Sequence, residues 1–133
     1  MTGPRDSTLV DFDAEAACTA VREVVGDDLL VCVVFTTDDH EILHVADGVR
    51  DLYGSEDRMR DHFEEIHSYV HLDFTERRLF EDVVGGGVRA MVTYMDQATL
   101  VRVVGEREGL FVTLAPDAPV TAVVDAAEAE LSS

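Results

Sequence analysis

Lysine is missing from this chain of 133 residues: all ten basic residues are Arg, against 28 acidic ones. Tryptophan is missing too, and cysteine is limited to Cys18 and Cys32. Each absence excludes something. The Arg residues are scattered, and the adjacent Arg77 and Arg78 are flanked by acids. No basic stripe is therefore available to displace counterions from nucleic acid or to meet anionic lipid headgroups. Two cysteines inside apolar patterns make neither a disulfide framework nor a metal motif and are expected as small core residues. The longest strictly apolar run, Leu29 to Phe35, is too short to span a bilayer. Residues 1–13 hold three acids and no apolar run of the secretory type. The expectation is a cytoplasmic protein with no direct nucleic-acid contact and no membrane contact. No G-x-S-x-G turn is present, and the Gly85-Gly86-Gly87 run lacks the Lys-Ser/Thr pair of a phosphate loop.

What is present is acid and a core. The formal net charge is −18, while 47% of residues are hydrophobic. That apolar fraction suits one folded domain of ordinary size and excludes general disorder. The charge makes the folded state repel itself in dilute buffer. Screening relieves this, since the Debye length falls to about 3 Å at 1 M salt. Arg in place of Lys keeps a planar, weakly hydrated cation suited to fixed pairs. In these respects the chain resembles the proteins of salt-in halophiles, and in particular small uncharacterised proteins of haloarchaea.

Local patterns give an order of elements. Residues 1–8 are expected to form a loose tail, and residues 9–133 a single α+β domain. A helix is predicted from Asp13 to Val25, with Ala14, Ala17, Cys18, Val21, Val24 and Val25 on one face, Asp13 as cap and Gly26 as stop. Leu29 to Phe35 is apolar throughout, as in a strand buried on both faces. A second strand follows at Glu41 to Ala46, ending at Asp47-Gly48. Ser55 caps a middle helix whose inner face is Met59, Phe63, Ile66 and Val70. A short helix at Thr75 to Val84 is expected to turn Leu79, Phe80 and Val83 inward. Val88 to Met95, Thr99 to Val104 and Leu110 to Ala115 form a three-stranded meander with short turns. A last helix follows Pro116, with Val120, Val123, Val124, Ala127 and Leu131 on one face. The predicted architecture is a five-stranded antiparallel sheet with helices on both faces, in the order α-β-β-α-(α)-β-β-β-α, with Leu29 to Phe35 central. This order, from Asp13 to Leu131, resembles the roadblock/LC7 and profilin-like group, and more distantly GAF and PAS sensor domains. The resemblance carries over no functional residue.

Two histidine groups are candidate metal sites. His40-Glu41-Ile42-Leu43-His44 matches H-E-x-x-H, which on a helix sets two His on one face with the Glu beside a metal-bound water. Here it follows an apolar strand by four residues, as a hairpin partner would; Asp38 as a cap would favour a helix instead. No third ligand is evident. Glu64, His67 and His71 share one stripe of the middle helix at metal-binding spacing, but such stripes are commonly solvated flanks. His62 borders the apolar face and is expected to be packed and hydrogen-bonded. No cofactor is implied. The functional expectation is a non-enzymatic regulatory or adaptor protein acting through protein contacts, with ligand sensing as a variant. The alternative is a metal-dependent hydrolase built on His40, Glu41 and His44. The expected partner is another protein or a second copy of the chain. A homodimer would use the edge strand through Met91, Val92, Tyr94 and Met95, which are unusually apolar for an edge.

Overall fold

The computed structural model describes residues 9–131, so the expected tail at residues 1–8 lies outside the described residues. Helix α1 spans Ala14–Val25. The Asp13 carboxylate accepts the Ala16 amide at 3.0 Å, and Gly26 closes the helix at φ 60°. Ala14, Ala17, Cys18 and Val21 are buried as expected, whereas Val24 turns outward. Strand β1 (Leu29–Thr36) and strand β2 (His40–Val45) form a hairpin. The H-E-x-x-H segment is therefore strand, over His40–Val45, and Ala46 lies past its end. Helix α2 (Asp47–Tyr53) was not foreseen, because Asp47-Gly48 was read as a strand end. Gly48 carries a helical penalty of about 1 kcal/mol, but the element is one short exposed segment and its own stop is Gly54.

Helix α3 (Glu56–Ser68) is capped by Ser55 Oγ on the Arg58 amide. It breaks at Tyr69, and helix α4 (Val70–Val84) begins five residues earlier than Thr75. Only Val70 and Phe74 of α4 are buried, so Leu79, Phe80 and Val83 do not face inward. Val70 and Phe74 lie in its first two turns, so the N-terminal part of α4, not its end, meets the sheet. Gly85 ends it in the left-handed conformation that glycine adopts without penalty. Strands β3 (Met91–Tyr94), β4 (Thr99–Val104) and β5 (Glu108–Leu114) form the meander, followed by helix α5 (Val120–Leu131). β3 is shorter than Val88 to Met95. β5 starts earlier than Leu110, because Gly109 belongs to the ladder opposite Phe35 and Val104.

The sheet order is β2-β1-β5-β4-β3, antiparallel throughout. The geometric centre is β5, not β1. β1 is interior all the same, and helices cover both of its faces, which is why it is apolar on both. α1 and α5 pack together on one face over the main core, which includes Leu29, Val34, Val101, Leu110, Leu114 and Val123. The opposite face carries two smaller clusters. One joins Val31, Val33 and Val45 to Met59 and Phe63 of α3; the other joins Phe35 and Val104 to Val70 and Phe74 of α4. Phe111 touches both.

Candidate functional site: an open groove and an unpaired edge

The face covered by α3 and α4 is incompletely filled. A groove of about 380 Å³ remains between these helices and the sheet. Its floor is apolar, built from Val33 and Phe35 of β1, Phe111 of β5, Phe63 of α3 and Val70 of α4. Its rim carries Ile66, Tyr69 and Leu72, which are partly exposed at the helix break. The opening lies beside the break at Tyr69, where α3 ends and α4 begins.

Five polar side chains also line the groove: His40, His67, Asp73, Glu76 and Arg102. His67 Nε2–H donates to the Thr36 carbonyl at 2.9 Å, and its ring stacks on His40 with centroids 5.1 Å apart. Burial, and then the neighbouring His67, hold His40 below the usual imidazole pKa. The His40 ring itself makes no hydrogen bond among the described residues. Arg102 stands between α4 and β3. Its Nη1 is 3.6 Å from the Asp73 carboxylate, its Nη2 donates to Thr93 Oγ1 at 3.3 Å, and its buried Nε has no partner among the described residues. Both contacts are longer than a close charge-assisted bond, so this guanidinium is under-used. Burial raises the Asp73 pKa, and Arg102 offsets part of that rise.

The histidines are regrouped relative to their sequence spacing. A β-bulge opposite Cys32 and Val33 interrupts the alternation of β2. Ile42 and Val45 consequently pack under α3, while Leu43 packs under α1. His40 faces α3, whereas the first charge felt by His44 is Arg22 of α1. The two histidines of H-E-x-x-H therefore point to opposite sides of the sheet. The Glu64–His67–His71 stripe is also divided: His71 lies beyond the break, in α4, where its Nδ1–H donates to the Ser68 carbonyl at 3.1 Å. Among the described residues no group of three or more His, Cys, Asp or Glu is placed to hold a metal ion. His62 does find a partner in the Tyr53 hydroxyl, but it is exposed, not packed. Sequence reasoning missed Asp73 and Arg102. The available signal was a single charge in the strand Thr99–Val104, on the alternation opposite Val101 and Val103 and shared with Val104.

A second feature lies beside the groove. Among the described residues β3 pairs only with β4, and no strand adjoins its other edge. Val92, Tyr94 and Met95 are exposed there, Tyr94 at 72%; Met91 is half-buried. The second half of α4 leaves Leu79, Phe80, Val83 and Val84 exposed, the last two at 73% and 81%. The helix therefore does not cover the edge. Arg89 ties the approach to β3 onto α5 by bonds to Asp125 and Glu128, which holds the edge in place.

A family model described as a domain of unknown function (DUF7522) matches residues 15–132. The chain belongs to the DUF7522 family. No curated protein matches it. Solved structures place the fold. The roadblock/LC7 domain from Streptomyces avermitilis is similar at 18% identity and TM-score 0.59, over 86% of this chain and 88% of that one. Myxococcus xanthus MglB is similar at 12% identity and TM-score 0.58, over 88% and 89%. An MglB with tetrameric arrangement is similar at 14% identity and TM-score 0.53, over 96% of both chains. The fold of this DUF7522 chain is thus roadblock-like, as the order of elements implied. Among its described residues no helix is long and apolar enough to cross a membrane.

Proposed function

We propose that this DUF7522 protein is a non-enzymatic regulatory or adaptor protein that works through protein–protein contacts, beginning with self-association. The observation that carries the reading is the unpaired β3 edge lying next in the chain to an unpartnered apolar stretch of α4. An exposed edge with apolar side chains invites strand pairing unless it is covered or charged, and here it is neither. Two copies related by a two-fold axis would continue the sheet across β3 and bury Met91, Val92, Tyr94 and Met95, together with Leu79, Phe80, Val83 and Val84 of α4. The similarity to an MglB described in a tetrameric arrangement supports self-association for this fold. The −18 charge opposes association at low salt, and molar salt weakens that opposition.

Light scattering in molar KCl tests the reading, with a dimer or higher oligomer as the expected result. Val92→Pro deletes a ladder donor and should return the chain to a monomer with its circular dichroism intact. A wild-type chain that stays monomeric at high concentration would refute self-association. An oligomer untouched by Val92→Pro and by Phe80→Ser would place the interface elsewhere.

A further inference from the structure

We infer that the groove between α3, α4 and the sheet is a binding site for a free α-amino acid with a large apolar side chain. Its polar groups have a specific arrangement. Asp73 and Glu76 are one helical turn apart on α4, and Arg102 of β4 stands beside Asp73 at 3.6 Å. One cation and two carboxylates thus line a pocket whose floor is Phe35, Phe63, Val70 and Phe111. A ligand bearing only a carboxylate meets the repulsion of Asp73 and Glu76. One bearing only an ammonium leaves the Arg102 guanidinium without a partner on the ligand. A zwitterion answers both, with its carboxylate on the guanidinium and its ammonium on the acids, and charge-assisted bonds of this kind are the strong ones.

The size agrees. At about 380 Å³ the groove falls at the lower end of small-molecule sites, which run from about 300 to 1,000 Å³ and are mostly apolar with a few polar groups. An interior residue of a partner protein carries neither terminal charge, so the polar set would be left unanswered by a docked peptide. The Arg102 guanidinium, whose Nη1 and Nη2 contacts are long, and the His40 ring supply the capacity that such a ligand needs. This inference does not depend on the self-association reading, whose residues lie further along α4 and on β3.

The test is calorimetric titration of the full chain in molar KCl. L-Phenylalanine and L-leucine are the probes, compared with phenylalaninamide, 3-phenylpropanoate and L-serine. Saturable binding of phenylalanine or leucine is expected, weakened on the order of tenfold or more in each of the three comparison compounds. Arg102→Gln should bring phenylalaninamide level with phenylalanine, and Asp73→Asn combined with Glu76→Gln should do the same for 3-phenylpropanoate; a merely structural role for these residues would not erase one discrimination and spare the other. Ile66→Trp fills the rim without touching a charge and should abolish binding in a folded chain, which keeps the test decisive if the charge variants do not fold. The inference is overturned by any of three results: no saturation with phenylalanine or leucine, equal binding of all the phenyl compounds, or undiminished binding to Ile66→Trp.

Discussion

The two faces of the sheet are built from the same strands but finished differently. On the α1/α5 face one continuous core is sealed, and Ala14, Ala17, Cys18, Val21, Val123 and Ala127 are all fully buried. On the α3/α4 face the apolar contacts divide into two small clusters, a groove stays open, and Leu79, Phe80, Val83 and Val84 remain in solvent. Folding alone would favour closing both. One face is sealed into a core, while the other leaves apolar side chains in solvent, and exposed patches of that kind usually mark interaction sites.

The largest expected effect separates the faces by salt. Transfer from molar KCl to dilute buffer should unfold the chain, because screening of the −18 charge is lost. Hydrogen exchange at intermediate salt should show α3 and α4 opening before β1, β5 and α1, since local stability follows buried apolar contact. A cooperative fold unchanged in low salt would break the argument from charge. Uniform exchange would break the comparison of faces.

Single substitutions give the next effect. Leu114→Ala, in the sealed core, should cost about 2–5 kcal/mol in denaturant unfolding at molar KCl. Leu79→Ala on the open face should stay within about 0.5 kcal/mol when measured on the monomeric Val92→Pro background. Equal costs would mean that α4 is more firmly seated than its exposure implies.

Gly109 sits against Phe35, on the open face. A Cβ there would lie 2.5 Å from the Val103 carbonyl oxygen and 2.6 Å from Phe35 Cζ. Gly109→Ala should therefore destabilise by about 1–3 kcal/mol and push the Phe35 ring into the groove. A tryptophan reporter at position 66 would register that movement, and a neutral, silent Gly109→Ala would show that the ladder yields instead.

The smallest effect is with pH. Burial holds His40 and His44 below the usual imidazole value of 6.5. The folded state then resists protons that the unfolded chain accepts, so this contribution to stability is complete above 6.5 and is lost as pH falls through it. Asp39 and Glu64 beside His40, and Asp47 beside His44, oppose the shift; Arg22 and Arg50 reinforce it at His44. Burial raises Asp73 from 3.8, which acts in the opposite sense but in a more acidic window. The unfolding midpoint should fall between about pH 7.5 and pH 5.5, and His40→Gln combined with His44→Gln should flatten that slope. A slope that the double variant leaves intact would assign it to other groups.

Periodicity and caps determined much of this protein directly. Asp13, Gly26, Ser55 and Gly85 each act where their chemistry places them, because a cap is decided by atoms three or four residues away. The all-apolar β1 declared its two-sided burial, and turn residues declared the meander and its edge. What needed the tertiary structure was everything set by rotation or register. The chain breaks from α3 to α4 at Tyr69, beside the groove, and the apolar end of α4 faces outward. One bulged residue in β2 sent His40 and His44 to opposite faces and brought His40 against His67 instead. Asp73 and Arg102, 29 positions apart, became neighbours because α4 crosses β4. Such contacts depend on how whole elements are seated against one another, and that is decided by the packing of the chain on itself, not by any local run of residues.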